Sequence, residues 1–174
     1  MTEKPPHIHV AIKSFEHKYW EDIAALFQCP RCNWGTLQLP YQSKDDIKKK
    51  LENPPQGMHR LIAVLPEEDT AIGMLGIHPS YGRRAHAAYL GMFVHDDYQG
   101  AGVGSALMEA AIQFCDQWLN LRRLELHVYV DNLAARRLYD KFGFEQEGIA
   151  KEYAYRDGEF VDSYIMARLR HRTD

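Results

Sequence analysis

Six consecutive residues, Gln99-Gly100-Ala101-Gly102-Val103-Gly104, carry the most specific chemistry in the sequence. Glycines at 100, 102 and 104 permit φ > 0 and clear away side chains, so that successive backbone N–H groups can close on an anion. Where such a turn opens a helix, the unpaired N–H groups of the first turn and the positive end of the helix dipole point at one place, and phosphate oxygens bind there. The spacing excludes two common phosphate binders. A dinucleotide fingerprint needs glycine where Ser105 or Leu107 stands, and a P-loop needs a Gly-Lys-Ser/Thr that is absent. A tight turn without a ligand is the plain alternative. Cys29 and Cys32 have the spacing of half a zinc site, but a closed tetrahedral site takes four ligands and no second Cys pair exists, so no metal is expected.

The elements that position the glycine turn are legible from periodicity. Ala87 to His95 reads as a strand, and Val103, Leu107, Ala110, Ala111, Phe114 and Trp118 then fall on one helical face, so the turn joins strand to helix. Upstream, His7 to Lys13 alternates as a first strand. Ser14 and Glu16 start a helix carrying Trp20, Ile23, Ala24 and Phe27, which Pro30 closes. Ser43 caps a short second helix with Ile47 and Leu51 on its apolar edge, and Asn53-Pro54-Pro55 stops it. Leu61 to Leu65 and Ile72 to Ile77 form a hairpin across Pro66–Asp69. Downstream, Leu124, Leu126, Val128 and Val130 alternate with Glu125, His127 and Tyr129, and Leu133 to Phe142 is helical. The chain ends in strands at Ala150–Tyr155 and Phe160–Ala167, joined by Arg156-Asp157-Gly158-Glu159, whose Asp-Gly pair is a strong hairpin signal.

Composition bounds the classes. The chain has 174 residues, which fits one continuous domain spanning 1–174, able to bury about 70% of its unfolded surface without staples. The longest aliphatic run, Leu61 to Leu65, is far short of a membrane span, and Met1 to Val10 lacks the apolar stretch of a secretory leader. A cytoplasmic protein with reduced thiols is expected. The net charge of -3, with basic clusters only at Lys48–Lys50 and Arg168–Arg172, argues against a nucleic-acid surface.

Gln99, Gly102 and Gly104 occupy the fixed places of the Gln/Arg-x-x-Gly-x-Gly/Ala motif of the GNAT superfamily of N-acetyltransferases, which the chain resembles. Asn132, Ala135, Leu138-Tyr139, Lys141 and Gly143-Phe144 match its Asn-x-x-Ala-x-x-Leu-Tyr-x-Lys-x-Gly-Phe signature at the right distance. Asn33 to Pro40, Val130-Asp131-Asn132, and Glu147-Gly148 through Asp162 look most like the bacterial L-amino acid N-acetyltransferases. The resemblance implies an α/β (α+β) fold: a central mixed, mostly antiparallel seven-stranded sheet, flanked by about four helices and splayed between its fourth and fifth strands. It also implies acetyl-coenzyme A as co-substrate and direct transfer to a primary amine in a ternary complex. The acceptor is then most simply the α-amine of a small apolar L-amino acid. A protein amino terminus, a polyamine, and a non-catalytic acyl-coenzyme A sensor are the alternatives. Homodimers are common in the superfamily, and the sequence leaves that state open.

By the same resemblance, backbone groups of Met92, Phe93 and Val94 hold the pantetheine arm as a pseudo-strand, and one N–H there faces the thioester oxygen. Gln99, Gly100, Ala101, Gly102, Val103, Gly104 and Ser105 form the diphosphate turn, with Asn132, Ala135 and Lys141 along the arm. Tyr139 is placed as general acid for the departing thiolate. The ammonium of the acceptor must lose a proton first, to His127, Glu125 or a water chain. Trp34, Tyr41, Tyr153 and Tyr155 are the candidates for an apolar acceptor pocket, and Arg83 and Arg84 for contacts to a carboxylate.

Overall fold

The computed structural model describes residues 6–170. Met1–Pro5, half of the segment weighed as a leader, and the far end of the Arg168–Arg172 cluster lie outside the described residues. Seven strands, β1 (Ala11–Ser14), β2 (His59–Leu65), β3 (Thr70–Pro79), β4 (Ala87–Val94), β5 (Arg123–Tyr129), β6 (Glu145–Arg156) and β7 (Glu159–Leu169), form one sheet in the order β1-β2-β3-β4-β5-β7-β6. Every neighbouring pair is antiparallel except β4 and β5.

That parallel pair is short. It joins Ala87–Tyr89 to Arg123–Glu125 and goes no further, although β4 runs on to Val94 and β5 to Tyr129. The sheet therefore splays between its fourth and fifth strands, as the resemblance implies.

Five helices flank the sheet: α1 (Trp20–Gln28), α2 (Pro30–Trp34), α3 (Lys44–Glu52), α4 (Val103–Gln117) and α5 (Leu133–Lys141). The expected number was about four. Pro30 does end the first helix, but it also sits at the first position of α2, where a missing N–H is harmless and φ is already set. The first helix begins later than Ser14–Glu16 because Glu16 is extended and caps nothing. A 3-10 turn at His17–Tyr19 intervenes, anchored by Tyr19, which is buried and donates to Asp69 at 2.6 Å. Ser43 does cap α3, its Oγ accepting from the Asp46 N–H at 3.1 Å.

On one face of the sheet, Leu107, Met108 and Ala111 of α4 cover Leu75, Ile77, Leu124 and Leu126. On the other, Ile23 and Leu26 of α1 and Ile47 and Leu51 of α3 cover Ile62, Val64 and Met74. β2 and β3 are buried on both faces at their centres and run past the apolar stretches, taking in His59, Arg60, Thr70, Ala71, His78 and Pro79, because those residues still have partners in the ladder. The β6–β7 hairpin turns through Asp157 and Gly158, both at positive φ (52° and 85°), as a two-residue loop requires. β6 starts five residues before Ala150, since register shifts at Gln146/Gly148 and Ala150/Ala154 break the period-two pattern. β1 is shorter than His7–Lys13: upstream the chain leaves the sheet, and the Ile8 N–H donates to the Ala101 carbonyl at 3.0 Å. Among the described residues no helix is long and apolar enough to cross a membrane.

Candidate active site

The splay between β4 and β5 opens into a cavity of about 1140 Å3 that extends to the start of α4 and along α5. Its floor follows from strand register. His95 donates to Ile72, making that pair hydrogen-bonded, and an antiparallel ladder alternates. Phe93 and Gly91 thus turn their backbone groups to β3, while Met92 and Val94 turn theirs to the opening. This corrects the expectation for Phe93, whose backbone is spent inside the sheet and whose ring packs on Phe27, centroids 5.1 Å apart. The Val94 carbonyl is also taken, by Gln99 Nε2 at 3.0 Å and the Cys32 thiol at 2.9 Å. Met92 and the Val94 N–H are what the strand edge offers.

At the far end Gly100 and Gly102 have φ of 80° and 94°, and Gly102 caps α4 with no side chain. A Cβ on Gly102 would collide with the His7 imidazole, and one on Gly104 would press on Leu138 at 3.2 Å. The open N–H groups of α4, the missing side chains and the nearby cations make a donor set suited to a diphosphate. Lys141 reaches this end, its Nζ 3.4 Å from Ser105 Oγ, and Arg137, one turn earlier on α5, lines it too. Ala101 and Val103 lie beneath, 1% exposed each, and shape the turn without facing the cavity. The Gln99 side chain holds Val94 and Asp96, so it braces the turn from behind.

Asn132 serves two ends. Its Oδ1 accepts from the Ala135 N–H at 3.2 Å, capping α5, and its amide nitrogen is left toward Gly35 and the cavity. Tyr139 is the one fully packed ring of α5, set against Phe144 at 5.9 Å between centroids, and its phenol lines the cavity without a hydrogen-bond partner among the described residues. Burial, helped by Tyr89, pushes its pKa up to about 12.

The two candidate bases separate. Glu125 is ion-paired with both Arg84 and Arg123, and Arg123 also grips Glu147. Burial works to raise the Glu125 carboxyl, but the two guanidiniums outweigh it and hold it below the usual range, which makes it a weak proton acceptor. The same pairing removes Arg84 from the set of free carboxylate contacts, and Arg83 is exposed on the turn beside it. His127 stacks on Tyr153 at 4.7 Å, with Tyr89 at 6.0 Å on its other side and Ser163 Oγ 3.5 Å from Nδ1. Burial lowers its pKa, with Glu125 opposing, which favours the neutral imidazole. It lies beside the cavity and does not line it.

Of the four aromatic candidates for the acceptor pocket, Trp34 lines the cavity and Tyr153 joins the His127 stack. Tyr41 does neither, being fully exposed in a loop at φ 63°, and Tyr155 packs outward on Phe160 with 66% of its surface exposed. Beside Trp34 stand three residues not named as site candidates, Arg156, Asp131 and Tyr129, of which Asp131 and Arg156 lie in the stretches quoted for the resemblance. Arg156 lies over the Trp34 ring at 3.8 Å, pairs with Asp131 and faces the Tyr129 ring, whose hydroxyl donates to the Thr36 carbonyl at 3.0 Å. Only spacing could have flagged them: Asp131 adjoins Asn132, and Arg156 opens the hairpin turn. His7 and Arg137 carried a signal of their own, since His7 begins the expected first strand and Arg137 is four residues before Lys141.

The acetyltransferase (GNAT) family model matches residues 20–144. The chain is 38% identical over 162 residues to the L-amino acid N-acetyltransferase AaaT of Escherichia coli, covering 92% of this chain and 98% of that one. Among solved structures, a GNAT-family acetyltransferase from Streptococcus pneumoniae superposes with a TM-score of 0.79 at 27% identity, covering 93% of this chain and all of its own. The spermidine N-acetyltransferase of Vibrio cholerae, solved with CoA and spermine, has a TM-score of 0.80 at 22% identity over 92% of this chain and 95% of that one, a likeness of fold. GNAT enzymes draw their acetyl group from acetyl-coenzyme A. With the family model spanning most of the sheet and a relative matched end to end, the chain belongs to the GNAT family and is an N-acetyltransferase.

Proposed function

We propose that the protein transfers the acetyl group of acetyl-coenzyme A to the α-amine of an apolar L-amino acid, both substrates being bound together. The observation that carries this reading is the single cavity in which the α4 N-terminus, the free edge of β4 and the Tyr139 phenol meet. The end-to-end likeness to an L-amino acid N-acetyltransferase supports the acceptor class.

In this reading Gly102, Gly104, Lys141 and Arg137 hold the diphosphate, and Met92 and the Asn132 amide hold the arm. The Met92 N–H polarises the thioester carbonyl. The amine nitrogen bonds to the carbonyl carbon as the C–S bond breaks, and the electron pair leaves on sulfur. Tyr139 donates its proton to that sulfur. Burial pushes the Tyr139 pKa up to about 12, so the phenol holds its proton until the thiolate departs. The amine's proton passes through water to His127, which is neutral and ready to accept it. Trp34, Tyr129 and Tyr153 form the apolar side, with Arg156, held by Asp131, stacked on the Trp34 ring.

The test is thiol release from acetyl-coenzyme A against free L-amino acids, polyamines and short peptides. Turnover on apolar amino acids at least tenfold above the other amines is expected. Preference for polyamines or peptides would overturn the acceptor class, and binding without turnover on any amine would replace catalysis by sensing.

A further inference from the structure

Cys29, Cys32 and Asp96 come together from two parts of the chain. Cys29 immediately precedes α2, Cys32 is in its first turn, and Asp96 lies in the turn after β4, yet their two sulfurs and a carboxylate oxygen fall within 4.8 Å of one another. Both cysteines are buried, at 7% and 4% exposure. Among the described residues the Asp96 carboxylate forms no ion pair: the Arg31 guanidinium donates to the Asp96 backbone carbonyl at 2.7 Å and leaves the carboxylate to N–H dipoles, those of Arg31 at 2.9 Å and Cys32 at 3.1 Å and the Gln99 amide at 3.3 Å.

We propose that Cys29, Cys32 and Asp96 bind a thiophilic divalent cation, zinc being the one whose donor preference they match. Three protein ligands with a fourth position left to water is the pattern of open zinc sites. At Zn–S of about 2.3 Å and Zn–O of about 2.0–2.2 Å, tetrahedral donors stand about 3.5–3.8 Å apart, so a shift of about 1 Å in side-chain torsions closes the set. The N–H groups already on Asp96 would orient the carboxylate as outer partners of ligands do. The thiols, now donating to the Ala25 and Val94 carbonyls, release two protons to solvent and bind as thiolates. Cys32 also lines the active-site cavity. The ion ties α2, which carries Trp34, to the turn that precedes the diphosphate loop. The sequence offered two of these ligands at the usual spacing, and only the fold supplies the third.

The experiment is titration of the reduced, chelator-treated protein with Co2+, read by the thiolate-to-cobalt charge-transfer band and the tetrahedral d–d bands, followed by displacement with Zn2+. One equivalent is expected to bind, with the bands absent in Cys29→Ser and Cys32→Ser and the affinity at least tenfold lower in Asp96→Asn. As a check independent of variant folding, Zn2+ raises the Tm of the unaltered protein and a chelator reverses it. No charge-transfer band in the reduced protein, a band that survives Cys32→Ser, or a Cys29–Cys32 disulfide that forms while cobalt is never taken up would each overturn the proposal.

Discussion

Replacing Tyr139 with Phe removes one oxygen and leaves the ring. The hydroxyl has no hydrogen-bond partner among the described residues and the ring keeps its packing on Phe144, so stability changes by no more than about 0.5 kcal/mol. The chemical loss is larger. A positioned acid is worth about 10²–10⁴ in rate, and a phenol whose pKa burial pushes up to about 12 is a weak acid, which places Tyr139 at the lower end. The expected fall in kcat is about 100-fold, or about 2.7 kcal/mol at 1.36 per tenfold. Coenzyme affinity should stay within about threefold. Thiol release gives kcat, calorimetry gives the coenzyme Kd, and a melting curve checks the fold. A kcat within threefold of the parent would show that the phenol is only a packed ring. A melting point several degrees lower would assign the loss to structure and refute the claim that the hydroxyl is unpartnered.

Gly102→Ala should weaken coenzyme binding at least tenfold, because an L side chain is strained at φ 94° and its Cβ meets His7; calorimetry reads this directly. His127→Gln should lower kcat/KM about tenfold or more. The parent's kcat/KM should rise from the acid side and level off by about pH 7, since burial lowers the His127 pKa below its ordinary value and the neutral imidazole is the active form. Glu125→Gln should keep kcat/KM on the plateau but move the rise to lower pH, since Glu125 holds the His127 pKa up, with a lower melting point from the loss of its bonds to Arg84 and Arg123. Arg156→Ala should raise KM for an amino acid about tenfold with kcat changed less, by removing the cation stacked on Trp34.

The order of strands and helices was legible because both signals are local: the period-two and 3.6 patterns around the glycine turn and the Asp-Gly hairpin. Element ends were not, where something distant sets them. β6 lengthens through bulges that β7 imposes, and the first helix waits for Tyr19 to reach Asp69. The coenzyme end of the site was readable because turn, helix start and Lys141 lie in two short motifs. The acceptor end was legible only in part: Trp34 and Tyr153 were candidates, but the meeting of Trp34 with Arg156, 122 residues away, has no local signal. Tyr41 and Tyr155 show the converse, aromatics near the right elements that point to solvent.

The early end of the β4–β5 pairing leaves two strand edges without a strand partner in the middle of the sheet. A partner lying there with amide groups of its own completes the ladder, as an added strand would. The molecule without it presents an open strand edge, the kind of surface on which sheets pair with other chains. Occupancy at 100 times Kd adds about 2.7 kcal/mol to the folded state. Solutions of this protein should therefore gain both melting temperature and resistance to clumping as coenzyme is added, in proportion to the logarithm of its concentration.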